Sequence, residues 1–438
     1  MVTERGRVLI DTERLMDRVC EKSNLNQAFK RVKSNGGSAG VDKKTIKETE
    51  VYLREPGTAE SLKASLLSGQ YVPQPIRGVR IPKPDGGERQ LGIPTVIDRM
   101  IQQALSQVLT EIYDPGFSES SYGFRPGRSA HNALKQASRY VESGKIWVVD
   151  LDLEKYFDTV NHDRLMYRLS RDIKDKRVLR LIRKYLQAGL MQDGVLTKRQ
   201  SGTPQGGPLS PLLSNIVLDE LDKELENRGH TFCRYADDCN IYVASEVAAQ
   251  RVQESVTAFI EGKLRLKVNR EKSACAKVSG RQFLGYRLYQ DGSMGLSPKT
   301  VTRMQNRVRK ITKRNRGRAL EEVITELNSY LIGWVRYFRL IRSRSQYRDL
   351  DQWIRRRLRS YRLKQRKRRY PIAKWLMQLG VMPRNAWNLA MSSKSWWRRS
   401  RNPVIHQALS NAWFKEQGLV SLLTEYDYLK VKPEPPYA

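Results

Sequence analysis

Two adjacent carboxylates, Asp237 and Asp238, stand between the short alternating runs Thr231-Phe232-Cys233 and Cys239-Asn240-Ile241-Tyr242-Val243. The flanks are β-prone and Arg234-Tyr235-Ala236 suits a tight turn, so the pattern predicts a hairpin with both aspartates at its tip. Like charges side by side repel. They are tolerated in water at an ordinary turn, which is the commoner case for an isolated pair, or around a divalent cation completed by a third carboxylate. The segment Ile146 to Asp158 offers that third group. Its buried-strand pattern runs out into Asp150-Leu151-Asp152-Leu153-Glu154 before a helix-like segment from Asn161. A strand ending on Asp opposite an Asp-Asp tip can bring three carboxylates to one point for two Mg²⁺ ions. Such a pair lowers the pKa of a primer hydroxyl and neutralises the attacked and leaving phosphate oxygens, which is nucleotidyl transfer. Asp150 and Asp152 fall on one strand face, so spacing alone does not choose between them.

Charge narrows the partner. Lys and Arg number 80 against 46 Asp and Glu in 438 residues, a net of +34, which points to a polyanion. Of that excess, +24 lies from Ser297 onward, so the acidic cluster sits in the milder field of the front part. No apolar run approaches the ~20 residues of a membrane span, and the N-terminus lacks an apolar signal core. The four cysteines, Cys20, Cys233, Cys239 and Cys275, show no zinc spacing, and the four histidines are scattered. A reducing cytoplasm is the expected compartment.

Residues 1–75 read as helix, turn, helix: apolar spacing from Asp11 to Val32, a Gly36-Gly37 break, and a new start after Asp42. Pro84-Asp85-Gly86-Gly87 predicts a hairpin turn with Lys83 and Arg89 on its flanking strands. Ser129 is a candidate cap for a helix from Ala130. Ser201 to Pro211 is a Gly/Pro loop leading to a helix at about residues 212–228, and Leu264 to Asn269 alternates as a strand. The C-terminal third predicts basic helices at 301–311, at 320–341 with an aromatic stripe expected to be core, and around Asp351 to Arg369. So many cations there are better explained by phosphate neutralisation than by solubility.

The Tyr235-Ala236-Asp237-Asp238 box, the segment Asp152 to Asp158, the Pro204-Gln205-Gly206 loop and Phe283-Leu284-Gly285-Tyr286 resemble, in order, the blocks of a reverse transcriptase. With Gly333-Trp334 and Ser395-Trp396-Trp397-Arg398, nearly the whole chain resembles a bacterial group II intron-encoded reverse transcriptase/maturase. That resemblance implies an α+β right-hand polymerase: a fingers and palm domain with an antiparallel sheet, then an α-helical thumb and maturase domain. The corresponding boundaries are 1–75, 76–296 and 297–438. It implies RNA-directed DNA synthesis with two Mg²⁺ on Asp152, Asp237 and Asp238, and it selects Asp152 because a bulky aromatic follows five residues later. The backbone carbonyl of Leu153 completes the implied metal set. Lys83 and Arg89 would hold the incoming dNTP, Phe157 would exclude its 2′-hydroxyl, and Gln205 and Ala236 would border the nascent base pair. Gly206 and Gly207 would let backbone approach nucleic acid. Arg125, Lys272, Gly285, Arg355, Arg356, Arg357, Lys367 and Arg368 are the implied nucleic-acid contacts. Implied partners are intron RNA, an RNA template with a DNA or RNA primer, and target DNA. The chain has no room after Tyr428 for the zinc-bearing endonuclease domain of some relatives, so second-strand cleavage is not expected. Two rivals stay open: a splicing maturase with secondary polymerase activity, and a diversity-generating or CRISPR-linked reverse transcriptase.

Overall fold

The computed structural model describes residues 11–82, 86–192, 195–197, 202 and 206–431. The chain divides into two compact units, one comprising residues up to Tyr140 with Gly144–Ala276, the other Val141–Ser143 with Lys277–Ala438. This break falls about twenty residues ahead of position 297, because the small hairpin after Phe283 belongs with the helices that follow it.

The first unit is mixed. Its strands are β1 (Ile76–Pro82), β2 (Glu88–Ile93), β3 (Trp147–Leu151), β4 (Leu190–Gln192), β5 (Val195–Thr197), β6 (Thr231–Tyr235), β7 (Asp238–Val243) and β8 (Ala274–Lys277). They form two four-stranded sheets, in the orders β2-β1-β4-β5 and β6-β7-β3-β8. The first holds the expected hairpin, β1 antiparallel to β2 from Arg77↔Ile93 to Pro82↔Glu88. In the second, β7 lies antiparallel to both β3 and β6.

Pleating sorts the second sheet by side-chain type. Val149, Leu151, Phe232, Cys239 and Ile241 point into the main core, where they meet Leu212, Leu213 and Ile216 of the helix Ser210–Asn227 and Val252 and Val256 of the helix Glu246–Phe259. Each fully buried aliphatic side chain there contributes about 2 kcal/mol. The opposite face carries Cys233 and Tyr242 under the helix Ala130–Glu142: the Tyr140 and Tyr242 rings lie 5.8 Å apart and the Cys233 thiol donates to the Ala133 carbonyl. Ser129 caps that helix through the Asn132 N–H, as predicted.

Two local expectations change. The helix predicted over 11–32 is two, Leu15–Val19 and Lys22–Asn35, because Glu21 between them is extended. The strand predicted at 264–269 reduces to one bridge, Leu153↔Val268. A π-helical turn at Ile260–Leu264 runs into it, and Arg265 follows in the left-handed region.

The second unit is helical apart from a hairpin of β9 (Tyr286–Leu288) and β10 (Met294–Leu296). The long helices Pro298–Ile311, Leu320–Tyr337 and Arg344–Arg366 match the predicted basic segments. The aromatic stripe is core. Trp334 packs on Phe338 at 4.8 Å between centroids, Phe338 on Tyr286 at 5.1 Å, and Tyr347 on Tyr426 at 4.7 Å. Among the described residues no helix is long and apolar enough to cross a membrane.

Candidate active site

β6 and β7 are joined by Ala236 and Asp237 alone, with Tyr235 paired to Asp238 at the base of the turn. Ala236 takes φ +60°, a conformation that costs a residue with a Cβ roughly 1 kcal/mol. Arg234 secures it. This buried guanidinium donates to both Asp222 carboxylate oxygens at 2.7 and 2.5 Å, to Asn215 Oδ1 at 3.0 Å, to Ser121 Oγ at 2.8 Å and to the Ala236 carbonyl at 2.9 Å. Burial alone would lower the Arg234 pKa, but the Asp222 charge and hydrogen bonds outweigh it and the net shift is upward, so the guanidinium stays charged.

The outer edge of β6 is covered by the loop before it in space. Ser120 and Tyr122 bond to Arg234 on that edge, the Arg234 N–H donating to the Ser120 carbonyl and the Tyr122 N–H to the Arg234 carbonyl, both 2.9 Å. Gly123 then passes so close to the turn that a Cβ on it would stand 2.3 Å from the Ala236 nitrogen. Asn215 holds the Gly123 carbonyl at 2.8 Å.

Asp152 follows the last residue of β3. Continuing the β3–β7 register by one pair sets it across from Asp238 and on the face of Asp150, in line with the predicted strand geometry. Its backbone is fixed on both sides: the Asp152 N–H donates to Ser273 Oγ at 3.0 Å, and the Asn269 N–H donates to the Asp152 carbonyl at 2.8 Å. The Glu154 N–H reaches the Lys267 carbonyl at 2.8 Å, which holds Leu153 between them. Burial raises the Asp152 pKa, as do the nearby Asp237 and Asp150 charges; Lys272 and an Asn269 hydrogen bond oppose the rise.

Asp152 and Asp237 line one open cavity of about 1140 Å³, together with Leu153, Phe157, Phe124, Ala236 and Lys272. Phe157 is half-buried against Tyr156 at 5.3 Å. Phe124 is 54% exposed beside Tyr235. Glu88 and Gln90 of β2 form part of the wall, a contribution that sequence reasoning missed. It also missed Asn269, Ser273, Gly123 and the brace from Asp222. The only signal for the last was a basic residue at a core-facing position of β6.

The other expected site residues take varied places. Asp238 is not among the residues lining the cavity, and among the described residues no three His, Cys, Asp or Glu side chains are grouped closely enough to hold a metal. Two carboxylates, with a carbonyl beside them, still suit Mg²⁺, which keeps several waters and takes remaining ligands from substrate phosphates. The charge balance also suits a cation, since Asp152 meets two like charges and Lys272 is the one basic group acting on it among its main influences. Arg125 is turned inward, donating to Asp114, Ser118 and Ser121, and is spent on holding its own loop. Gly206 and Gly207 approach protein rather than leaving room for nucleic acid: added Cβ atoms would stand 2.4 Å from the Gly92 carbonyl and 2.3 Å from Gln102 Oε1. Gly285, at φ +83°, makes room for Phe338 and Thr300.

Lys83 and Gln205 lie outside the described residues. Arg89 pairs with Ile81 in β2, and its side chain likewise lies outside them. In the second unit Arg356 stacks 3.7 Å from the Trp397 centroid, and Arg357 donates to Thr312 Oγ1 at 3.0 Å. Arg355 is half-buried, whereas Lys367 and Arg368 are exposed at the end of the helix Arg344–Arg366.

Residues 81–288 match the family described as reverse transcriptase (RNA-dependent DNA polymerase), and residues 301–380 match the group II intron, maturase-specific domain. Protein YkfC of Escherichia coli (strain K12) is 34% identical over 322 residues, covering 64% of this chain and 84% of that protein. The group II intron-encoded protein LtrA of Lactococcus lactis subsp. cremoris is 33% identical over 310 residues, covering 55% of this chain and 52% of LtrA, so the chain spans about half of that relative. Among solved structures, truncated apo telomerase from Candida tropicalis aligns with a TM-score of 0.40 and 15% identity, over 52% of this chain and 55% of that one. The chain belongs to the reverse transcriptases, in the group II intron-encoded reverse transcriptase/maturase family.

Proposed function

We propose that this protein copies RNA into DNA at the cavity bordered by Asp152 and Asp237, and that its C-terminal unit binds intron RNA to assist splicing and mobility. The observation that carries the first part is the convergence of two carboxylates from distant segments on one cavity, with the Asp152 backbone held by Ser273 and Asn269 and the carbonyl preceding Asp237 held by Arg234. A bound pair of Mg²⁺ ions would supply charge neutralisation at the reacting phosphate and a more acidic primer hydroxyl. Asp152, Asp237, Asp238 and the Leu153 carbonyl would hold them.

The remaining work falls to positioning. The Arg234 brace fixes where Asp237 stands, and the clamp by Asn269 and Ser273 fixes Asp152. Phe157 lines the same cavity, and likeness to the family assigns its ring to crowding a ribose 2′-hydroxyl, which would favour deoxynucleotides. Lys83, Arg89 and Gln205 are assigned to the incoming nucleotide by likeness to the family.

The test is primer extension on an RNA template with Mg²⁺. Asp237→Ala and Asp152→Ala should each lower extension by at least ~10³-fold while leaving RNA binding intact. Near-normal extension by either variant would overturn the assignment. A splicing assay on Asp237→Ala separates the two roles, retained splicing with lost extension being the expected outcome.

A further inference from the structure

The segment from Gln352 to Lys415 contains no Asp or Glu and 17 Lys or Arg. Nine of those 17 side chains are exposed, and three of the nine border one cavity. A polar cavity of about 490 Å³ lies along one side of the helix Pro383–Met391, lined by Asn385, Asn388, Ser392, Lys394, Arg398 and Arg401 among others, with no carboxylate in its wall. Arg399 builds its floor. That side chain stacks 4.7 Å from the Trp396 centroid and donates to the Ser392 carbonyl, and its buried Nε has no hydrogen-bond partner among the described residues. Asn402 is fixed by accepting the Val404 N–H at 2.9 Å. Lys394, Arg398 and Arg401 remain exposed at the rim.

The adjacent side of the same helix is different in kind. Trp387, 38% exposed, packs its ring 6.1 Å from Tyr370, 63% exposed, on the neighbouring helix Arg369–Gln378. Lys374, one turn beyond Tyr370, is exposed as well, and Arg369 lies near enough to Arg399 to influence its charge. Water-exposed aromatic pairs ringed by cations match unpaired bases, whose π-faces stack on them while phosphates meet the charges.

We infer that the helix Pro383–Met391 is a saddle for single-stranded RNA, with the strand's phosphates in the cavity beside Arg398 and Arg401 and its bases on Trp387 and Tyr370. The platform demands unstacked bases, which excludes an intact duplex. The amides of Asn385 and Asn388 in the cavity wall provide donors and acceptors for ribose 2′-hydroxyls, which distinguishes RNA from DNA. This inference rests on the reading of the C-terminal unit as an RNA binder and assigns it a location.

The test is fluorescence anisotropy of the full-length protein with a labelled 12-nucleotide uridine oligoribonucleotide, its deoxy counterpart and a 12-base-pair DNA duplex, across a salt series. Trp387→Ala should weaken oligoribonucleotide binding about 5- to 150-fold, with Trp387→Phe recovering most of it. Arg398→Ala with Arg401→Ala should flatten the log-log salt slope by ~0.7 per cation removed. Melting temperatures of all variants check that the unit remains folded. Lys367→Ala with Arg368→Ala serves as the separate arm: if that pair weakens RNA binding while the Trp387 and Arg398/Arg401 variants do not, the saddle is refuted and the broader reading stands. If none of the variants matters, both fail. Equal losses for RNA and for duplex DNA would also refute the saddle, replacing it with a duplex-binding surface.

Discussion

The two units bury arginine in opposite ways. In the first, Arg234 is sealed against Asp222, its charge cancelled and its donors distributed over Asn215, Ser121 and the turn carbonyl. In the second, Arg356 lies flat on Trp397, Arg357 donates to Thr312, and Arg359 directs two N–H groups to the Leu409 carbonyl at 3.0 and 2.8 Å. Among the described residues none of these three has a carboxylate at ion-pair distance. Burial pushes the Arg359 guanidinium down to about 10, with the neighbouring Arg355 charge adding to the effect, so it remains charged at neutral pH. A neutralised pair gives rigidity without a field, which a site built on closely placed carboxylates requires. Arginine held by rings and carbonyls packs as an apolar body yet leaves its positive charge uncancelled, which a surface meant for a polyanion requires.

Breaking the neutralised pair should have the largest effect. Arg234→Ala strands Asp222 in the core and should cost about 3–5 kcal/mol by denaturant unfolding. Arg234→Met combined with Asp222→Leu should regain most of that stability but not the polymerase rate, because the turn carbonyl loses its donor. Equal stability of the single and double variants would contradict the account.

The close approach at the hairpin gives the next largest effect. Gly123→Ala must displace the Ala236 backbone, and the resulting shift of Asp237 should lower kcat by about 10²-fold, with the melting temperature changing far less. A variant slowed only through loss of folded protein would remove Gly123 from the positioning argument.

On the other side of the comparison, Arg356→Ala should destabilise the second unit by about 1–2 kcal/mol through lost stacking on Trp397. Arg356→Lys should recover only part of this, since an ammonium cannot lie flat on the ring. Full recovery by lysine in a thermal melt would mean that charge rather than stacking holds the position.

Much of this architecture is legible from residue order. The alternation around Asp237 specifies a hairpin, since a period of two fits only a pleated strand, and Pro-Asp-Gly-Gly marks the turn between β1 and β2. The helices read at 301–311 and 320–341 lie close to those found at 298–311 and 320–337. Contacts between distant segments were not legible. Arg125 and Arg356 read as free cations in a basic sequence, because nothing local reveals a carbonyl or an indole face brought in from elsewhere. Gly206 and Gly207 likewise read as room for nucleic acid, whereas Gly92 and Gln102 occupy that room.

Sequence by itself determined the carboxylates, their place at a strand end and a hairpin tip, and the concentration of positive charge after residue 297, because these depend on residue type and short-range periodicity. Tertiary structure decided that Asp152 and Asp237 share one cavity, and which arginines are held by internal contacts. It also brought Trp387 against Tyr370 of the neighbouring helix, next to a cavity lined by Arg398 and Arg401. Such outcomes depend on which side chains meet across long stretches of chain, and burial and hydrogen bonding settle that only once the whole fold has closed.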